Sequence, residues 1–152
     1  AEADLVERIR ASPEYEPSMD LVAELDDLGV VGHVMISRAM LQSPGGAERS
    51  IVMLSPLAVS PAVQGRGAGG ELVRAATSIA DQQGEPLVVL EGSPVYYSRF
   101  GFVAAASHGL TLPLPDWAPP AAAQVMLLAA YDATDESLRG TVVYPPAFDG
   151  LE

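Results

Sequence analysis

The feature that most constrains this chain is a glycine-rich turn caught between an extended apolar segment and an amphipathic helix. Residues Gln64-Gly65-Arg66-Gly67-Ala68-Gly69-Gly70 put four glycines into seven positions. Upstream, Ser50–Val59 is apolar and β-branched enough to predict a long strand. Downstream, Gly69–Gln83 carries Leu72, Val73, Ala76, Ile79 and Ala80 on one face and is closed by Gly84 and Pro86, which predicts a helix. A strand that turns through glycines into a helix offers unencumbered backbone N–H groups, and the helix dipole adds roughly half a positive charge at that end. The arrangement suits a pyrophosphate. A Walker A loop is excluded, because Glu71 follows Gly70 and no Gly-Lys-Ser/Thr is present. Gly65, Gly67 and Gly70 formally satisfy G-x-G-x-x-G. Five residues, Ser60–Gln64, nevertheless separate them from the strand, and too little chain follows for a doubly wound dinucleotide domain.

The rest of the chain supplies a frame for this unit. Asp4–Arg10 has helical apolar spacing and stops at Ser12-Pro13; Leu21–Leu25 and Val30–Leu41, split by Asp26-Asp27-Leu28-Gly29, predict a hairpin. Leu87–Leu90 predicts a short buried strand. Ser93-Pro94 before Val95–Arg99 is an N-cap followed by proline in the first helical turn, with Gly101 as the stop. Phe102–Ala106 and Gln124–Tyr131 complete the predicted strands, separated by the proline-rich loop around Trp117. Antiparallel strands with one embedded strand–helix–strand crossover make the fold class α+β, in a single domain over 1–152.

Composition narrows the chemistry. The 152 residues contain no Cys, so disulfides, thiolate metal sites and cysteine nucleophiles are excluded, and with only two histidines no metal site is expected. A formal charge of −12 disfavours a nucleic-acid partner and favours a cationic small molecule. The apolar runs are too short for a membrane helix, and the start Ala1-Glu2-Ala3-Asp4 has no signal-type apolar run, so a cytoplasmic location is expected.

Two motifs in order carry a resemblance. Gln64-x-x-Gly67-x-Gly69, after Leu57-Ala58-Val59 and Ser60-Pro61, resembles the acetyl-CoA loop of the GCN5-related N-acetyltransferases. Val95-Tyr96-Tyr97-Ser98-Arg99-Phe100-Gly101-Phe102 resembles that family's Tyr-x-x-x-Gly-Phe segment. The similarity runs from about Leu21 to Phe102. More loosely, Gly32-His33 and the tail Val143-Tyr144-Pro145-Pro146-Ala147-Phe148 resemble a bacterial subgroup of predicted acetyltransferases. The resemblance implies a mixed, mostly antiparallel sheet with splayed parallel central strands, and acetyl-CoA as co-substrate. The family's first strand is not visible before Asp4, so a truncated or divergent start is expected.

By the same resemblance, Leu57, Ala58 and Val59 contact the pantetheine arm, and Gln64, Gly65, Arg66, Gly67, Ala68 and Gly69 hold the pyrophosphate. Arg74 or Arg99 would help Arg66 offset its charge. Tyr97 is the implied general acid toward the departing thiolate, or else a packing residue, while Tyr96 is expected in the core. An ammonium acceptor must lose a proton before it attacks, which calls for a carboxylate. Glu91, at the end of a predicted buried strand, is the first candidate, followed by Glu24 and Glu48; a solvated strand-end charge is the competing reading of Glu91. His33 reads as a hydrogen-bonded structural residue. Trp117 reads as an acceptor-pocket wall or a packing residue. The chain is thus expected to acetylate a small primary amine, a homodimer being left open. A non-catalytic acyl-CoA-binding module is the alternative.

Overall fold

A computed structural model describes residues 2–149. The chain opens with helix α1 (Glu2–Arg10), then strands β1 (Asp20–Leu25), β2 (Gly29–Gln42) and β3 (Glu48–Val59). Helix α2 (Ala68–Gln82) and strand β4 (Leu87–Glu91) follow, then the single turn α3 (Pro94–Tyr97). Strands β5 (Val103–Ala104), β6 (Leu110–Thr111), β7 (Ala123–Leu127) and β8 (Gly140–Val143) finish the fold. They form one eight-stranded sheet in the order β5-β7-β4-β3-β2-β8-β6, with β1 also paired to β2. The β3–β4 and β6–β8 pairs are parallel and every other pair is antiparallel, so β3-α2-β4 is the expected crossover in an α+β fold.

Strand alternation assigns the two faces of the sheet. Val34, Ile36, Val52, Leu54, Val88 and Leu90 face α2, whose buried Leu72, Val73, Ala76 and Ala80 complete that core. On the opposite face Ala39, Leu41, Ile51, Met53, Leu87 and Val89 form a second core, and α1 packs Leu5, Val6 and Ile9 over Met35. Two features of β3 matter for function. Its parallel ladder with β4 is only two residue pairs long, Val52 with Val88 and Met53 with Val89, although both strands continue beyond it. Its register with β2 slips between Leu54 and Leu57, where two residues, Ser55 and Pro56, oppose the single Met35. Beyond Met53, then, β3 keeps β2 as a partner and turns an unpaired edge toward β4. A proline in this stretch is tolerated because no β4 carbonyl needs a donor there.

Three expectations need correction. The strand Phe102–Ala106 shrinks to Val103–Ala104, because Ala105–His108 winds into a 3₁₀ turn that ends at Gly109. The strand Gln124–Tyr131 ends at Leu127, opposite Leu87, where its partner begins. Leu128 N–H then donates to Pro86 O and Ala129 N–H to Asp81, which turns the chain away. The short strands β6 and β8 were not anticipated. The hairpin, the helix and the strand Leu87–Leu90 stand within two residues of their predicted bounds.

Candidate active site

The glycine turn is built for two different reasons at alternate positions. Gly65 and Gly67 both sit at φ 85°, in the left-handed region that other residues enter at a cost, and neither would meet anything with a Cβ. Gly69 and Gly70 have ordinary backbone but no room: a Cβ on Gly69 would stand 2.5 Å from the Tyr96 hydroxyl, and one on Gly70 3.0 Å from the Phe100 ring. Gln64 Nε2 donates to Val59 O (3.3 Å) and Arg66 N–H to Val63 O (3.2 Å), fixing the turn on the end of β3. The first N–H groups of a helix lack intrahelical acceptors. Glu71 N–H already bonds to Gly67 O (3.0 Å), which leaves those of Ala68, Gly69 and Gly70 for a ligand.

These groups border a cavity of about 530 Å³. Leu57 and Val59 form its β3 side, Gln64, Gly65 and Gly67 its rim, and Ala68 and Gly69 the helix end. Across from them stand Tyr96, Phe100, Arg74 and Arg99. Arg99 lies over Tyr96 (4.8 Å to the ring centroid) and Arg74 over Phe100 (4.9 Å), so two cations are held on aromatic faces beside the helix N-terminus. Of the residues expected here, Ala58 and Arg66 do not line the cavity. Ala58 is exposed and opposite His33, since alternation sends it to the other face; Arg66 is exposed and absent from the lining. Tyr96, expected in the core, is half-buried and lines the cavity instead. The missing Cβ at Gly69 was the sequence signal that a large side chain approaches there.

Glu91 and Tyr97 both sit at the far end of β4, on opposite faces. Tyr97 packs on the α2 side, edge-on to Phe102 (5.7 Å) and Tyr96 (4.9 Å), with its ring against the place where a Gly92 side chain would be. Burial there pushes its phenol up to about 12. Gly92 is held by its N–H to Ala122 O (3.0 Å) and by Gln124 Nε2 on its carbonyl (3.0 Å), and Ser93 caps α3 through Tyr96 N–H (3.3 Å), as the sequence predicts. Glu91 points to the opposite face, where its carboxylate accepts the Tyr144 hydroxyl. Burial, and then this bond, raises the Tyr144 phenol well above its ordinary value.

Glu91, Tyr144 and the exposed Trp117 line a second cavity of about 820 Å³, together with Met53 and Ser55 of β3. Asp149 joins them, a carboxylate that sequence reasoning missed because only the folding of the tail against β3 and β4 brings it to this cavity. The other base candidates stand elsewhere: Glu24 is exposed on the β1–β2 hairpin, and Glu48 accepts Gln42 Nε2 (3.2 Å). His33 is structural, as expected. Its Nε2 lies 2.6 Å from Asp20, which also accepts Tyr15 Oη (2.6 Å) and Arg10 Nε (2.9 Å). Asp20 is thereby held down at about 2, burial opposing and the three hydrogen bonds prevailing. Among the described residues no helix is long and apolar enough to cross a membrane.

Comparison with known proteins agrees with this geometry. Residues 20–104 match the family model of the acetyltransferase (GNAT) domain. The chain is 35% identical over 140 residues to the uncharacterized N-acetyltransferase YhbS of Escherichia coli, covering 92% of this chain and 77% of that protein. It is 34% identical over 116 residues to the uncharacterized N-acetyltransferase YjhQ of the same organism, covering 75% of this chain and 62% of that one. The crystal structure of YhbS in complex with CoA superposes with a TM-score of 0.83 at 33% identity, over 99% of this chain and 79% of the other. A GNAT acetyltransferase from Brucella melitensis in complex with acetyl-CoA superposes with 0.73 at 31% identity, over 97% and 78%. The fold, the glycine turn at the head of α2 and these matches agree: the chain belongs to the GNAT family of acyl-CoA-dependent N-acetyltransferases.

Proposed function

We propose that this chain moves an acetyl or similar short acyl group from acetyl-CoA to the primary amine of a cationic acceptor, by direct attack while both are bound. One observation carries the reading. The cavity at the glycine turn and the cavity at Glu91 lie on opposite faces of the sheet, and β3 and β4 separate between them. The solved relatives hold CoA and acetyl-CoA. Here the N–H groups of Ala68, Gly69 and Gly70 would take the pyrophosphate, with Arg74 and Arg99, and the exposed Arg66 of the same turn, offsetting its charge. The unpaired β3 edge beyond Met53, flanked by Leu57, Ala58 and Val59, offers main-chain partners to the pantetheine amides.

Glu91 is positioned to take the proton from the ammonium, since its carboxylate faces the second cavity and Tyr144 holds one of its oxygens in place. Tyr97, on the cofactor side of the same strand end, donates a hydrogen bond to the sulfur as the carbon–sulfur bond breaks. Without cysteine, a thiol acyl-enzyme is closed as a route. Incubation with acetyl-CoA and a panel of amines, with free thiol followed over time, tests the reading: thiol release that requires a cationic amine supports it. Gly67→Val, whose bulk suits φ 85° poorly, should weaken acetyl-CoA binding strongly in calorimetry while the protein stays folded. Acetyl-CoA binding without thiol release for any amine would leave the acyl-CoA-binding module.

A further inference from the structure

The second cavity says more about the acceptor than that it carries positive charge. We infer that it takes an amphipathic amine, one ammonium group on an apolar and preferably planar body, and that Trp117 selects that body. The inference rests on the transferase reading above for the fate of the amine, but not for its binding.

Three observations lead to it. Among the described residues, Glu91 and Asp149 are the only charged side chains that line the cavity, whereas Met53, Pro113, Pro115, Val143 and Phe148 give it a mainly apolar wall. Beyond those two carboxylates the cavity offers only the hydroxyls of Ser55, Thr141 and Tyr144, the last already donating to Glu91, too few partners for all the ammonium groups of a polyamine or all the hydroxyls of an amino sugar. Buried without hydrogen bonds, those groups would each oppose binding. At about 820 Å³, the space also greatly exceeds what a bare ammonium and a short chain would fill. Finally, Trp117 is 83% exposed at the rim, more than any other large apolar side chain among the described residues. The turn that carries it is stiffened by Pro115 and Pro119 and closed by Ala118 N–H on Pro115 O (3.0 Å). An indole held in water by a stiff loop gains most when a ligand covers it, through lost apolar hydration and through attraction of a cation to its face. Glu91, fixed by Tyr144, then provides the charged end and Trp117 the apolar end of one site.

Trp117 is the single tryptophan of the chain, so its fluorescence reports this cavity directly. The full chain saturated with CoA, which permits no turnover, is titrated with 2-phenylethylamine, n-butylamine, spermidine and uncharged 2-phenylethanol. We expect 2-phenylethylamine to change Trp117 emission and bind about tenfold tighter than n-butylamine or spermidine, the scale of one stacked or cation–π contact. Glu91→Gln should lower affinity for 2-phenylethylamine and leave that for 2-phenylethanol unchanged. Trp117→Leu, with acetyl-CoA affinity as the check on folding, should reduce kcat/KM for 2-phenylethylamine about tenfold, mostly through KM. Binding of 2-phenylethylamine without thiol release would retain this inference and reject the transfer reading. Emission that ignores 2-phenylethylamine, together with thiol release fastest for spermidine or n-butylamine, would overturn it. So would emission that shifts with protein concentration as the chain self-associates, since a second copy would then be what covers the indole.

Discussion

A phenol held near 12 is a poor proton donor but a dependable hydrogen-bond donor. Full proton transfer from Tyr97 to a thiolate whose conjugate acid lies near ~8.5 would be uphill by roughly 5 kcal/mol. The group is raised, so it stays neutral and donating throughout the working range and would lose its proton only as pH rises through about 12. Tyr97→Phe should therefore lower kcat by ~10²-fold with little effect on acetyl-CoA affinity, and the wild-type kcat should show no alkaline limb from this residue below about pH 11. A variant with wild-type turnover would make Tyr97 a packing residue. The glycines give a second test at the same scale. Gly69→Ala must displace the Tyr96 hydroxyl, at a cost of about 1–3 kcal/mol in denaturant unfolding, and Tyr96→Phe in the same chain should recover most of that loss. Gly67→Ala meets no neighbour, so its loss comes from backbone conformation and Tyr96→Phe should leave it unchanged.

At the scale of elements, Asp20 ties α1 to the hairpin by accepting from Arg10, Tyr15 and His33 at the start of β1. Its folded pKa of about 2 lies below its ordinary 3.8, so its contribution is complete above about pH 4 and disappears as pH falls toward 2. Asp20→Asn should cost about 1–3 kcal/mol at neutral pH, because it weakens three contacts around a nearly buried group. Melting curves of the two proteins should draw together as pH falls from 4 through 2; a gap at pH 2 as wide as at neutral pH would refute the assignment. None of these partners sits at a spacing that a sequence pattern could register, whereas β2, β3, α2 and β4 were legible from the periodicity of their apolar residues and their glycine and proline stops. The two-residue β6 was not legible, and β5 was legible only within a longer predicted strand, because strands so short have no period and exist only where a neighbour is already in place. The site divides in the same way. The glycine turn could be read locally, but Tyr96, Tyr144 and Asp149 reach their cavities through contacts between distant segments.

Over the whole molecule the charge of −12 is unevenly opposed: Arg66, Arg74 and Arg99, three of the eight basic residues, stand on or beside the glycine turn, while Glu91 and Asp149 line the other cavity. Opposite-charge attraction at both cavities is screened over ~10 Å at 0.1 M salt. Acetyl-CoA affinity and kcat/KM for a cationic amine should both fall as salt rises, while kcat moves less; a kcat/KM insensitive to salt would mean that the acidity serves only solubility. The two-pair junction between β3 and β4 has a different consequence. Strands β4, β5 and β7 are hydrogen-bonded to the rest of the sheet only across that junction, so a ligand that occupies the gap acts as a missing strand between two half-sheets. Binding free energy then becomes folding free energy: at a hundred times its Kd, such a ligand should stabilise the chain by about 2.7 kcal/mol. Amide hydrogen exchange should slow most along Leu54–Val59 and at the end of β4, leaving the β1–β2 hairpin exchanging as before.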